Sequence, residues 1–312
     1  MKTQPSIVTI LGTGVWGSAL ANIVRHNHRQ VRVWSRSSGT SLASLVKDAT
    51  AIVSAVSMKG VVPTIEKLRS LLSPESIIVT ATKGLDSETT LTPSQIWQRA
   101  FPNNPVVVLS GPNLSVEIEQ QLPAATVVAS SNRAAAERIQ QIFATDFFRV
   151  YVNQDPIGTE LGGTLKNIMA IASGVCDGMK LGTNAKAALL TRALPEMIRV
   201  GTRLGASGET FFGLSGLGDL IATCDSPLSR NYQVGYGLAG GKPLEQILGE
   251  LQGTAEGINT TKVLIKIAQR EGIAVPITYQ VFRLLESQIT PIQAIKALME
   301  RDLKSEFGDL DL

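Results

Sequence analysis

Lys166 lies in the stretch 158–178, GTELGGTLKNIMAIASGVCDG, where apolar side chains recur at helical spacing around a single amine. An ammonium is costly to bury unless a partner or the chemistry requires it there. Two readings therefore stand: a lysine that snorkels from a helix edge to water, or a buried proton donor facing a cleft. Gly162 and Gly163, one turn earlier, let another backbone approach closely. Further along, 213–220 (GLSGLGDL) sets Asp219 among glycines, and Ser229, Arg230 and Asn231 follow ten residues later. Asp219 reads as a helix N-cap or as a buried carboxylate that holds the Lys166 amine. Arg230 reads as a surface arginine or, with Asn231 and helix N–H groups, as a clamp for a phosphate. The chemistry-bearing readings together describe a positioned proton donor beside an anion handle.

A second constellation opens the chain. The apolar run 7–11 (IVTIL) suits a strand buried on both faces of a parallel sheet. It leads directly into 12–17 (GTGVWG), then a helical stretch 18–25 and a second strand 31–34. A GxGxxG in a strand, turn, helix, strand unit predicts a dinucleotide site. Gly12 permits the turn, Gly14 lets a pyrophosphate approach the backbone, and Gly17 lets the helix pack on the strand. After the second strand stand Ser35, Arg36, Ser37 and Ser38. The carboxylate that would bind a ribose 2'-hydroxyl is missing there, and Arg36 can bind a 2'-phosphate. NADP is therefore expected as well as NAD.

The elements that must position these groups follow from length and pattern. The chain has 312 residues, 44% hydrophobic and 18% charged, which suits two soluble domains. A net charge of +3 with scattered Lys and Arg argues against a nucleic-acid partner. Cys176 and Cys224 cannot build a disulfide framework. His26 and His28, in a helix-end turn, give a metal site no material, so no metal is expected. No run reaches the roughly 18 apolar residues of a membrane helix, and the glycine-broken start does not read as a secretory signal. A cytoplasmic protein without a membrane span is expected.

Only a short helix fits at 42–47 before the next strand at 51–56. A full mononucleotide-binding half needs another helix and strand in that interval, so the sheet reads as abbreviated after its second strand. A helix within 57–72 is expected to open after Pro63, with further strands at 77–81, 105–110, 125–129 and 148–151 and a helix at 133–144. Lys83 follows the 77–81 strand, at the sheet edge where ligands bind in open α/β folds. It reads equally as a ligand-facing cation and as a solvated loop lysine. From residue 155 the pattern turns helical: 157–176, 184–204, 231–239, 244–251, 258–270, 277–287 and 291–303. The expected architecture is a Rossmann-like doubly wound α/β domain, 1–154, followed by an all-helical domain, 155–312, whose polar end, 305–312, frays.

Along nearly its whole length the sequence resembles the bacterial-type NAD(P)-dependent glycerol-3-phosphate dehydrogenases. The matching segments are GTGVWGSAL (12–20), ATKG (81–84), SGP (110–112), FRVY (148–151), GGTLKN (162–167), NAKAALLTR (184–192), GLGDLIATC (216–224), SRN (229–231) and Glu256-Gly257. The resemblance implies that Lys166 is the catalytic proton donor or acceptor and that Lys83 contacts substrate and cofactor. It places Gly111, Asn113, Asn167, Asp219, Thr223, Ser229, Arg230 and Asn231 at the substrate. It places Gly12, Gly14, Val15, Trp16, Gly17, Arg36, Ser115, Arg230, Thr254 and Glu256 at the cofactor. Asn113 stands where the family often has Ser or Thr, and Val15 where it more often has Ser or Ala. The chain also lacks a segment that typical members carry between the second and third strands, on the adenosine side of the cofactor pocket.

The activity this implies is reversible reduction of dihydroxyacetone phosphate to sn-glycerol 3-phosphate, feeding glycerophospholipid synthesis, by a homodimer acting on a small phosphorylated triose. Two alternatives share the plan of a Rossmann domain plus helices. One is a 3-hydroxyacid or 6-phosphogluconate type dehydrogenase, which takes carboxylate substrates. The other is a non-catalytic NADP sensor, which would bind cofactor without turnover.

Overall fold

The computed structural model describes residues 6–251, 253–303, 305 and 306. The chain divides into two compact units: one runs to Asp86 and resumes over Leu91–Glu160, and the other comprises Ser87–Thr90 and the chain from Leu161 onward.

The first unit alternates strands and helices. In order these are β1 (Ile7–Leu11), α1 (Val15–His26), β2 (Gln30–Trp34), α2 (Leu42–Val46), β3 (Ala51–Ser54), α3 (Met58–Leu68) and β4 (Ile77–Thr80). Then follow α4 (Pro93–Ala100), β5 (Val106–Ser110), α5 (Ser115–Glu119), β6 (Ala124–Ala129), α6 (Arg133–Phe143) and β7 (Phe148–Asn153). The strands form one sheet in the order β2-β1-β3-β4-β5-β6-β7. All neighbours are parallel except β5 and β6. Alternate side chains feed two cores. Val8, Ile10, Ala51, Val53 and Val79 pack with residues of α1 and α6, whereas Leu11, Ile52 and Ile78 pack with residues of α2, α3 and α4. Helices thus cover both faces of the sheet, the doubly wound plan that near-continuous apolar strands require.

The abbreviation after β2 is visible in the strand order. β2 pairs with one edge of β1, Ile7 opposite Gln30, and the chain then returns to the other edge of β1 as β3, Val8 opposite Ala51. Short α2 and the turn after it do the covering: Leu42 and Val46 of the helix and Ala49 beyond it join the core around Trp34 and Ile52. Its carbonyl end is held by Arg32, which donates to Leu45 O at 3.2 Å and Lys47 O at 2.6 Å, a cation at a helix C-terminus.

Other boundaries differ from expectation. α3 opens at Met58 and contains Pro63 instead of starting after it. Met58, Val61, Ile65 and Leu68 form one stripe packed into the core. Burying Met58 and Val61 at about 1.5–3 kcal/mol each offsets the roughly 3 kcal/mol that an interior proline costs. α1 starts at Val15 with Gly14 as N-cap, three residues earlier than expected. α4 and α5 were not anticipated, although α4 carries Pro93 at its start and a capping box between Thr92 and Gln95.

The second unit is helical. α7 (Pro156–Gly178) carries the chain into it, followed by α8 (Thr183–Arg203), a 3-10 turn at Gly208–Phe212, a π turn at Leu214–Gly218 and α9 (Asp219–Cys224). The rest is α10 (Arg230–Ala239), α11 (Leu244–Glu250), α12 (Glu256–Glu271), α13 (Pro276–Leu285) and α14 (Pro291–Met299). Residues 161–171 of α7 are all buried, so this is the helix around which the unit packs. Among the described residues no helix is long and apolar enough to cross a membrane. Of the segment expected to fray, only residues 305 and 306 are among those described.

Candidate active site

Lys166 is 6% exposed and Asp219 2%. The lysine Nζ donates to Asp219 Oδ1 at 2.8 Å and also to Thr223 Oγ1, which in turn donates to the same carboxylate oxygen at 3.2 Å. Asp219 and Thr223 stand four apart on α9, so one helix face presents both to the amine. The buried-amine reading of Lys166 holds over the snorkelling one. Asp219 is the first residue of α9, with Gly218 as N-cap. The π turn that leads into α9 lies against α7 because a glycine lets the backbones meet: a Cβ on Gly162 would stand 2.6 Å from Ser215 O, and within that turn a Cβ on Gly216 would stand 2.1 Å from Phe211 O of the preceding 3-10 turn. Ser173 of α7 donates to Cys224 O at 2.8 Å. Cys176 and Cys224 are both buried and unpaired, and burial pushes the Cys224 thiol up to about 12.

The anion handle is built on the same helix. α10 crosses α7 at glycines: a Cβ on Gly235 would lie 1.9 Å from Ile171 O, and one on Gly174 2.0 Å from Tyr232 O. Ser229 caps α10, accepting from the Tyr232 N–H at 3.3 Å. Asn231 Oδ1 accepts from Gly257 N–H at 2.9 Å, docking the first turn of α12. Gly257 also abuts Asn167, whose carbonyl oxygen would be 2.7 Å from a Cβ there. Arg230 is exposed and donates to Thr254 O at 3.5 Å, and the Thr254 hydroxyl donates to Glu256 Oε1 at 3.5 Å. Gly253, at φ +103°, leaves room for that guanidinium. The second unit thus gathers Lys166, Asn167, Asp219, Thr223, Ser229, Arg230, Asn231, Thr254 and Glu256 from four separate stretches of chain.

The first unit gathers the remaining candidates along the carboxyl ends of its parallel strands. Gly12 has φ +113°, and a Cβ there would lie 2.7 Å from Ala55 O; a Cβ on Gly17 would lie 2.1 Å from Gly12 O. Beside Gly14, by contrast, nothing stands within 4 Å of a Cβ position. The N-terminus of α1 has no side-chain cap and no acidic residue in its first turn. An open glycine cradle on an uncapped helix N-terminus fits a pyrophosphate. It lies where the chain passes from β1 to either side, the switch point of an open α/β sheet. Val15 is 49% exposed at this helix start, with Trp16 packed onto the core. Past β2, Arg36 is exposed on a turn closed by Ser38 N–H to Ser35 O at 3.0 Å, with the Ser35 and Ser37 hydroxyls 3.1 Å apart.

Lys83 follows β4 and is half-buried. Gly111 follows β5 with φ +155°, against Thr126. The Asn113 amide is engaged at both ends by β6, donating to Ala125 O at 3.2 Å and accepting from Thr126 Oγ1 at 2.8 Å. Its side chain therefore locks the loop. Ser115 opens α5. Among the described residues no cluster of His, Cys, Asp or Glu could hold a metal ion. Sequence reasoning passed over Glu160, Ser173 and Lys186, whose buried or bridging contacts include partners 66, 51 and 39 residues away.

Comparisons with known proteins address both units. A family model described as NAD-dependent glycerol-3-phosphate dehydrogenase C-terminus matches residues 155–296. Its N-terminal counterpart matches 7–41 and 37–136, two pieces whose junction falls at the shortened crossover after β2. A glycerol-3-phosphate dehydrogenase [NAD(P)+] of Synechocystis sp. is 65% identical over 311 residues, covering 99% of this chain and 98% of the relative. That of Nostoc sp. is 60% identical over 306 residues, covering 98% of this chain and all of the relative. A crystal structure of glycerol-3-phosphate dehydrogenase from Coxiella burnetii superposes with a TM-score of 0.90 at 33% identity, covering 95% of this chain and 99% of that one. A dinucleotide cradle on one unit, a buried Lys-Asp-Thr group beside an anion handle on the other, and likeness over the full length converge: the chain belongs to the NAD-dependent glycerol-3-phosphate dehydrogenase family.

Proposed function

We propose that the protein catalyses reversible reduction of dihydroxyacetone phosphate to sn-glycerol 3-phosphate, with 1–154 holding the cofactor and 155–312 the catalytic amine. The observation that carries this reading is the Lys166 amine, buried against Asp219 and Thr223 on the helix that also seats Arg230 and Asn231 through α10. NADPH or NADH, when bound, supplies the hydride that the ketone C2 receives. Gly12, Gly14 and Gly17 with the start of α1 would hold its pyrophosphate, and Arg36 a 2'-phosphate. Lys83, Ser115, Thr254 and Glu256 would supply further contacts.

Lys166 donates the proton that the C2 oxygen needs as it becomes a hydroxyl, and takes it back in the oxidation. Asp219 and Thr223 hold the Nζ in place for that transfer. Lys83 and Asn167 orient the carbonyl, with Gly111 and Asn113 shaping the substrate loop. Arg230, Asn231 and the capped start of α10 bind the substrate phosphate, and binding energy at this remote group can be spent on orientation at C2. Positioned general acid help is typically worth ~10² to 10⁴ in rate, about 3–5 kcal/mol. The same reading takes the enzyme to be a cytoplasmic homodimer that supplies the glycerol backbone of phospholipids.

The test follows NADPH and NADH absorbance with dihydroxyacetone phosphate for the wild type and Lys166→Ala. Turnover in the wild type and a loss of at least about 100-fold in the variant, with cofactor affinity kept, is the expected result. Absence of turnover in the wild type, or a fully active variant, would overturn the assignment.

A further inference from the structure

Lys186, in the first turn of α8, reaches across to three other elements. Its Nζ lies 2.7 Å from Asp177 Oδ2, in the last turn of α7, and 2.9 Å from Asp225 Oδ1, the residue that ends α9. The Tyr232 hydroxyl, in the first turn of α10, donates to the same Asp177 oxygen at 2.8 Å. The amine also sits 5.8 Å from the centre of the Tyr232 ring. The Lys186 and Asp177 side chains are 17% and 29% exposed and Asp225 is 77% exposed, an inner pair with an outer strut. Burial works against the ammonium, but the two carboxylates outweigh it and raise its pKa above the ordinary value.

The contacts fall beside the catalytic groups. Asp225 comes two residues after Thr223, and Tyr232 directly follows Asn231. α9 has only six residues, far too few for a helix to hold its own shape. Its carboxyl end is therefore fixed from outside, by Ser173 on Cys224 O and by Lys186 on Asp225.

We propose that Lys186 is a positioning residue of the active site. By bridging Asp177 and Asp225 it sets α9, and with it Asp219 and Thr223, at a fixed distance from Lys166. Through Asp177 and Tyr232 the same hub sets the Arg230–Asn231 turn against α7. The role rests on the reaction proposed above, and the geometry it controls can be read without turnover.

The experiment compares Lys186→Met, Lys186→Arg and Asp225→Asn with the wild type. It measures kcat, KM for dihydroxyacetone phosphate and for NADPH, and amide hydrogen exchange over residues 219–232. A displacement near 1 Å at reacting groups costs about 100-fold, so Lys186→Met is expected to lower kcat about 10- to 100-fold and to raise the substrate KM. KM for NADPH rises less than that for dihydroxyacetone phosphate, because the pyrophosphate cradle is built by the other unit and only Arg230 of the displaced turn contacts the cofactor. Exchange over 219–232 speeds up while that of α13 does not. Arginine, whose fork can span two carboxylates, restores most of the rate and the protection. Asp225→Asn, which removes only the exposed strut, lowers kcat more than it raises the substrate KM.

A folded Lys186→Met enzyme with wild-type kinetics and wild-type exchange would overturn the proposal. If that variant fails to fold, unchanged kcat and exchange in Asp225→Asn would do so. Absence of turnover in the wild type would instead overturn the reaction, leaving the exchange data to judge the positioning role.

Discussion

Lys166 shows how much a single residue can disclose and where its neighbours must be known. Its place in an apolar helical run marks it as unusual, yet a snorkelling lysine shares that local pattern. Burial to 6% exposure and the 2.8 Å contact with Asp219, 53 residues along the chain, decide between the two. Asp219→Asn tests the pairing. The variant leaves a buried ammonium without its counter-charge, a change that typically costs about 3–5 kcal/mol. Expected are a loss of about 100-fold or more in ketone reduction, a lower melting temperature, and an NADPH affinity within about twofold of the wild type. Activity retained within a few-fold would show that the carboxylate is dispensable. Gly12, Gly14 and Gly17 are more legible from sequence, because backbone conformation and close approach impose the residue type whatever lies elsewhere. Asn113 is less so: its carboxamide spends both ends on β6, a use that no spacing rule anticipates.

Among the elements, the long helices were readable, as were short α2 and α11, whereas α4, α5 and α9 were not. α7, α8 and α12 run for 23, 21 and 16 residues, enough for several repeats of a helical pattern. α9, at six residues, is shorter than two full turns and has no periodicity to read, although it carries two of the three members of the Lys-Asp-Thr group. What places it is the π turn just before it, packed on α7 through Gly162. Such turns often occur at functional sites. The crossing of α7 and α10 is likewise set by glycines whose spacing alone does not announce a contact. Gly235→Ala would drive a methyl group to 1.9 Å from Ile171 O, so the two helices must separate. Overpacking typically costs about 1–3 kcal/mol, and here the obstacle is backbone and cannot rotate away. Because α10 starts with Arg230 and Asn231, the expected signature is a substrate KM raised about tenfold or more, with a smaller rise in the NADPH KM through Arg230. Steady-state kinetics and a thermal melt check it; wild-type values in both would show that the crossing is more pliable than its geometry implies.

At the scale of the whole molecule, two buried glutamates govern how stability responds to pH. Glu160, 2% exposed in the first unit, accepts from the Ser94 N–H at 2.9 Å and from the Ser94 hydroxyl, at the N-terminus of α4. Glu196, in the second unit, accepts from the N–H groups of Ile277 and Thr278 at 2.8 and 2.9 Å, at the N-terminus of α13. Desolvation raises both carboxyls, Glu160 from 4.5 to about 7, against the opposing effect of these hydrogen bonds. A raised folded-state pKa means that the native protein keeps a proton the unfolded chain has released. The contribution of Glu160 to stability is therefore full below pH 4.5 and is lost as pH rises through about 7. Across that window it amounts to something on the order of 3 kcal/mol. Glu160→Gln keeps an acceptor for the Ser94 N–H and has no charge to bury, so its stability should change less between pH 5 and 8. At pH 8 it should equal or exceed the wild type. Trp16, Trp34 and Trp97 are the three tryptophans of the chain and all lie in the first unit, so denaturant midpoints followed by tryptophan fluorescence report on that unit. Glu196→Gln, in the other unit, supplies the control, since it should leave the tryptophan midpoints following the wild-type pH course. Parallel pH courses for the wild type and Glu160→Gln would mean that the Glu160 carboxylate stays ionised in the fold, its charge carried by the N-terminus of α4 in place of a proton.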